Sequence, residues 1–240
     1  MMDLTIFSGS SQRGFRCNDH ASGRQKGEKT SYTLAIGFSF YSMTNRELLD
    51  QAIAACERLK NTEYHITIGK NNNETQIILS FPTDSFHHII GFHKTKDVNF
   101  LHSDDRSRER IYKTVLNNTN NIRDAIASSI FIDKMIPRLT TIIKLEELLD
   151  NNKETYYSKS NYYSDFKDID YDFVFHVKDE DFFMSFYFIK ETGTSGQDKY
   201  VMVSTFEKEE PRGHCRRPHT LLKKTKVNKV SGAATIIFDK

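Results

Sequence analysis

Three histidines and a lysine fall within the nine residues Phe86-His87-His88-Ile89-Ile90-Gly91-Phe92-His93-Lys94. No other stretch of the chain concentrates so many groups able to move protons near neutral pH, because an imidazole has an ordinary pKa of about 6.5 that burial or a neighbouring charge readily tunes. Lys94 adds a cation one residue after His93. The chemistry that such a set supports is proton transfer at a charged substrate, with the lysine holding an anion.

The surrounding residues must position this cluster. Thr83, Asp84 and Ser85, directly after Pro82, have side-chain oxygens that suit a helix cap, and no proline interrupts the chain from Phe86 to Lys94. Read as one helix at about 100° per residue, the segment places Phe86, Ile89, Ile90 and His93 on a common face. His93 then meets the core or a cleft beside it, His87 reads as a surface residue, and His88 points elsewhere. A metal site is not expected on this geometry. Metal-binding helices pair ligands at i and i+4, whereas His88 and His93 are separated by i+5 and diverge by about 140° on a continuous helix. Cys17, Cys56 and Cys215 form no paired metal-ligand spacing either. No metal and no other cofactor is expected.

Around the cluster the sequence reads as helices first and strands later. Asn45–Asn61 carries an apolar stripe of Leu48, Leu49, Ala52, Ile53, Ala55, Cys56 and Leu59 behind Thr44 or Asn45 as cap. Tyr64–Ile68 and Gln76–Phe81 flank the polar turn Lys70-Asn71-Asn72-Asn73-Glu74-Thr75 as a hairpin that leads directly into the histidines. Asp104 and Asp105 open a further helix, whose arginines Arg106, Arg108 and Arg110 read as a solvated face. Residues 121–150 continue helically with an interruption at Pro137. Asp172–Val177, Phe182–Ile189 and Tyr200–Phe206 are aromatic and β-branched runs that read as three consecutive antiparallel strands. His176, inside the first of them, reads as a structural sheet histidine.

Composition narrows the class. The 240 residues carry 34 Lys and Arg against 32 Asp and Glu, a net charge of +2, which excludes a polybasic protein and confines nucleic-acid contact to local patches. One such patch is Arg212–Lys229, with seven basic residues and no acid; it reads equally as a phosphate-binding segment or a solvated tail. An acid-rich run from Asp165 to Asp181 would repel RNA on a shared face. Unpatterned cysteines suit a reducing interior, no apolar run is long enough for a membrane span, and the start lacks the layout of a signal peptide, so a soluble cytoplasmic protein is expected. Residues 1–42 are rich in Ser, Gly and charge and read as a poorly structured extra segment, with one domain expected over 43–230 and a tail over 231–240.

The order of helix, short strands, Phe86-His87-His88-Ile89-Ile90-Gly91-Phe92-His93-Lys94-Thr95-Lys96-Asp97, further helices, the strands FYFIKE and YVMVSTF, and finally TLLKKTKV resembles the phage-type domains of the barnase, EndoU, colicin and RelE-like nucleases. Those domains carry a similar F-x-H-L-x-G-L-H-K signature. Here His88, Gly91, His93 and Lys94 stand at its fixed positions, while Ile89 and Phe92 replace leucines. The resemblance implies an α+β fold, with N-terminal helices packed on an antiparallel sheet of about four strands. It implies a metal-independent endoribonuclease, toxin-like and of phage or mobile-element origin, with RNA as substrate and an inhibitor or antitoxin protein as a possible partner.

On that reading His93 is the general base or acid and His88 the alternative proton-transfer group. Lys94 or Lys190 holds the phosphate, and Ser204 or Thr205 donates a hydrogen bond from the sheet. Arg216, Arg217, Lys223, Lys224 and Lys226 grip flanking phosphates. The competing reading keeps the fold without catalysis, as an RNA- or protein-binding module.

Overall fold

The structure is a computed structural model, and it describes residues 43–102, 107–159, 170–178, 183–191, 198–207 and 218–240. The expectations for residues 1–42, for Asp104, Asp105 and Arg106, for most of the acid-rich run, and for Arg216 and Arg217 lie outside the described residues.

Helix α1, Asn45–Lys60, forms where the stripe requires it. Thr44 closes a capping box with Glu47, each side chain bonding the other's backbone N–H. The apolar residues of the stripe are all buried. Strands β1, Thr62–Lys70, and β2, Asn73–Ser80, then pair antiparallel with Tyr64 opposite Leu79 and Ile66 opposite Ile77. Asn71 and Asn72 make the turn with φ of 51° and 64°, the left-handed pair that a two-residue hairpin favours and asparagine tolerates. Alternation along β1 sends Tyr64, Ile66 and Ile68 inward and leaves Glu63, His65 and Thr67 on the other face.

The next helices are short: α2, Phe86–Ile90; α3, Arg108–Leu116, capped by the Ser107 hydroxyl; and α4, Ile122–Ala127. Helix α5, Ile136–Asp150, has Pro137 in its first turn, so this proline starts a helix rather than interrupting one.

Five more strands come next: β3, Glu154–Ser158; β4, Phe173–Lys178; β5, Phe183–Lys190; β6, Lys199–Glu207; and β7, Thr220–Asn228. An eighth, β8, is Ala234–Asp239. All eight join one sheet in the order β3-β4-β5-β6-β2-β1-β7-β8. The sheet is therefore twice the expected size, and it is mixed, because β2 and β6 pair in parallel through Ile78, Leu79 and Ser80. The expected antiparallel run β4-β5-β6 is present. The basic segment from Thr220 is a strand between β1 and β8 rather than a tail, and the residues expected as a tail form the edge strand β8.

The main core lies between the inner sheet face and the helices. Leu49, Cys56 and Leu59 of α1 and Leu139, Ile142 and Leu145 of α5 meet Tyr64, Ile66, Leu79, Phe186, Phe188 and Met202 there. A second, smaller cluster of Tyr171, Val174 and Tyr187, with Tyr157 and Val203 against it, covers the opposite face of the β3-to-β6 half. His176 lies on that outer side, buried, with its Nδ1 2.9 Å from the Ser185 hydroxyl across the β4–β5 pair.

Candidate active site

The histidine segment is not one helix. Helix α2 ends at Ile90, Gly91 takes φ 92° and ψ 26°, and Phe92–Lys94 continues as a single 3-10 turn. Only an achiral residue enters this left-handed conformation without a steric penalty, so Gly91 is what allows the chain to redirect. No side-chain bond caps α2, although Ser85 stands at the cap position. Phe86, Ile89, Ile90 and Phe92 are buried, which anchors both short pieces in the core. Helix α2 packs against β6, α3 and α5.

Redirection at Gly91 brings the three imidazoles together. One ring nitrogen from each of His87, His88 and His93 lies within 4.8 Å of those of the other two. Ring centroids are 5.2 Å apart for His88 and His93, 5.3 Å for His87 and His88, and 6.4 Å for His87 and His93. The expectation that His87 is a surface residue fails: it is 7% exposed and turns inward, where its Nε2 donates to the Leu101 carbonyl at 3.4 Å. His88 and His93 are half-buried beside it. The divergence that spoke against shared ligation assumed a continuous helix, and the break at Gly91 removes that premise.

The site also draws in an arginine that is not among the expected site residues. Arg138, from the first turn of α5, is 9% exposed and donates from Nη1 to the His88 carbonyl at 2.9 Å. Its aliphatic stem covers Gly91. The available signal was a lone arginine ahead of the apolar run of α5, whose partner His88 lies fifty residues earlier in the chain.

The electrostatics of the cluster are one-sided. Burial pushes the His88 imidazole down to about 4, with the Arg108, His87 and Arg138 charges adding to it. His93 is likewise held at about 4, by burial first and then by Lys94 and Arg138. His87 is lowered chiefly by burial, against which its bond to Leu101 acts. Lys94 is itself lowered by burial and by Arg138, Lys134 and Lys96. Among the described residues, every charged side chain acting on the histidines and Lys94 is a cation or another histidine. Arg108, expected as part of a solvated face, is exposed and still contributes to this field. The result is three neutral imidazoles inside a positive field, an environment that attracts an anion such as a phosphodiester.

The expected sheet and phosphate residues divide. Ser204 and Thr205 point to opposite faces. Thr205 pairs with Phe186, lies on the helix-covered side and is 1% exposed, its hydroxyl without a hydrogen-bond partner among the described residues, whereas Ser204 pairs with Tyr187 of the outer cluster. Thr205 thus lies on the helix-covered face of the strand that α2 packs against, whereas Ser204 on the same strand turns to the other face. Lys190 ends β5 in an ion pair with Asp198. Lys223 is paired with Asp239 on β8 at 3.0 Å. Lys226 reaches Asp150 at 2.7 Å and Glu146 at 2.9 Å.

Lys224 corrects the expected phosphate-binding role outright. Its side chain is fully buried, bonded to Glu154 and to the Leu149 carbonyl at 2.6 Å, and has no exposed surface with which to grip a phosphate. The alternation of β7 turns it inward, and Glu154 on β3 makes that burial tolerable by supplying an opposite charge.

The architecture, then, is a mixed sheet covered on one face by helices, with a cluster of imidazoles and cations set in the helical layer. A family model described as phage-Barnase-EndoU-ColicinE5/D-RelE like nuclease4 matches residues 48–239, and the chain belongs to that nuclease family. No curated protein and no solved structure matches it significantly. Among the described residues no helix is long and apolar enough to cross a membrane.

Proposed function

We propose that the chain is an endoribonuclease that cuts RNA at the His88–His93 cluster by attack of a ribose 2′-hydroxyl, with no metal in the chemical step. The observation that carries this is the meeting of His87, His88 and His93 within 4.8 Å inside a field of cations. RNA supplies its own nucleophile, so a site for its cleavage needs a base, an acid and positive charge around the phosphorus oxygens.

His93 fits the base. Its ring is half-buried, and the nitrogen that carries the lone pair of the neutral imidazole takes the 2′-hydroxyl proton. The 2′-oxygen then attacks phosphorus, the P–O5′ bond breaks, and the leaving 5′-oxygen takes a proton from His88. Arrival of the phosphodiester anion raises the His88 pKa towards neutrality and so makes the imidazolium available. Lys94, Arg138 and Arg108 stabilise the charge that builds on the non-bridging oxygens. Lys190, already paired with Asp198, is a weaker candidate for that role, and Thr205 is the strand hydroxyl on the favourable face. The products are a 2′,3′-cyclic phosphate and a 5′-hydroxyl. A toxin-like role in a reducing cytoplasm, in a phage or mobile element and under the control of an inhibitor protein, completes the proposal.

The test is incubation of purified protein with mixed RNA and analysis of the ends. Cyclic phosphate termini from the wild type and none from His93→Ala are expected. Full cleavage by His93→Ala removes His93 from the mechanism, and salt-dependent RNA binding without cleavage favours the non-catalytic binding module instead.

A further inference from the structure

We propose that His87, His88 and His93 also form a three-imidazole site for a divalent transition-metal ion, zinc foremost, and that filling it switches cleavage off. The metal half stands on the geometry alone; the regulatory half rests on the function proposed above.

The tautomers carry the argument. Nε2 of His87 faces the Leu101 carbonyl, which only accepts, so Nε2 holds the hydrogen and Nδ1 holds the lone pair. That Nδ1 is buried and, among the described residues, has no hydrogen-bond partner. The pattern is that of a metal-ligating histidine, whose second nitrogen donates to a backbone carbonyl and thereby fixes the tautomer and the ring. His93 repeats half of it, with an Nδ1 equally buried and unpartnered. An orphaned lone pair on His87 and an unpartnered buried nitrogen on His93 cost the fold free energy that an ion would offset.

Distance and chemistry agree. Tetrahedral zinc with bonds of about 2.1 Å sets its nitrogen ligands about 3.4 Å apart. One ring nitrogen from each of the three histidines already lies within 4.8 Å of the other two, so side-chain rotation closes the tripod. Three histidines leave a fourth position open. With Lys94, Arg138 and Arg108 acting on the cluster, that position favours an anionic ligand, hydroxide or a phosphate oxygen. The same cations weaken a bare ion's affinity, which suits reversible rather than permanent occupancy. A nitrogen whose lone pair is bound to zinc cannot accept the 2′-hydroxyl proton, so the occupied site is inactive.

Chelator-treated protein is titrated with Zn2+ by calorimetry and with Co2+ by visible absorption. Saturable uptake with the intense visible bands of four-coordinate cobalt is expected, weakened at least about tenfold in His87→Gln and in His93→Gln. Far-ultraviolet circular dichroism verifies that each variant is folded, and the wild type alone suffices if one is not. Absence of saturable uptake by the wild type, or uptake unchanged in folded variants, overturns the site. In parallel, RNA cleavage by the wild type falls on Zn2+ addition and returns on chelation. Cleavage unchanged or raised by bound Zn2+ overturns the switch, whereas absence of cleavage in metal-free protein refutes the ribonuclease reading and leaves the metal result standing on its own.

Discussion

A Cβ atom placed on Gly91 would lie 2.9 Å from Cδ of Arg138, the residue whose guanidinium holds the His88 carbonyl. The glycine that redirects the chain and the arginine that lies over it are thus fitted to one another, and both act on the same histidine. Gly91→Ala meets two costs, a side chain at φ 92° and displacement of a buried arginine stem. Destabilisation of about 1–3 kcal/mol is expected in denaturant unfolding. Cleavage should fall further than stability explains, because His88 and His93 shift together.

Arg138→Lys separates charge from geometry. Lysine keeps the cation but cannot reproduce the planar fork that reaches the His88 carbonyl at 2.9 Å. The expected outcome is a loss of about tenfold in kcat with KM little changed, because placement rather than attraction is impaired. Equal losses from Arg138→Lys and Arg138→Met would show that the charge has no separate role.

Lys224 tests the structural role of the basic segment. Its charge is buried against Glu154, so Lys224→Ala leaves a carboxylate without its partner and should cost about 3–5 kcal/mol of stability. Replacing both members, as Lys224→Met with Glu154→Leu, should recover much of that loss, measured by thermal or denaturant melts. Under conditions where the single variant remains folded, its KM for RNA should be that of the wild type.

The cluster of Lys226, Glu146 and Asp150 gives a pH dependence. Burial works to raise Glu146, but its bonds to Lys226 and Arg58 outweigh that and hold it below its ordinary 4.5. As pH falls, the unfolded chain protonates this carboxyl first, so the stability it contributes is complete above pH 4.5 and is lost below it. The Lys226 and Glu146 side chains are each about a quarter exposed, and Lys226→Met should cost about 1–2 kcal/mol at neutral pH. The gap between variant and wild type should shrink below pH 4.5; a gap constant down to about pH 3 would show that Lys226 acts through packing alone.

How far these features could be read from the sequence depends on the range of the interactions behind them. Helix α1 and its capping box, the β1–β2 hairpin and the run β4-β5-β6 are written in local periodicity, and each formed as expected. Strand β7 was hidden because Lys224 breaks the alternation of a buried strand, and the carboxylate that permits it lies on β3, far away in sequence. The parallel β2–β6 pairing likewise joins distant residues and leaves no local trace. At the site, the segment itself was evident, but its shape was not. A glycine inside a helical pattern is a warning of a break, and treating α2 as continuous through Gly91 sent His87 outward and His88 away from His93.

The cationic field makes the most direct prediction about substrate. Lys94 and Arg108 act on the histidines and, among the described residues, no ion pair neutralises either, whereas Lys223 is paired with Asp239. If the phosphodiester is drawn to the cluster, Lys94→Ala and Arg108→Ala should each weaken RNA binding at low salt. Each should also reduce the slope of log affinity against log salt by about 0.7, the share of one contact to single-stranded nucleic acid. Lys223→Ala should leave both unchanged, since its charge is already paired with Asp239 on the neighbouring strand β8. Filter binding of the His93→Ala protein, which does not consume the RNA, measures the slopes. A slope altered by Lys223→Ala but not by Lys94→Ala would move the RNA path from the histidine cluster to the open edge of the sheet.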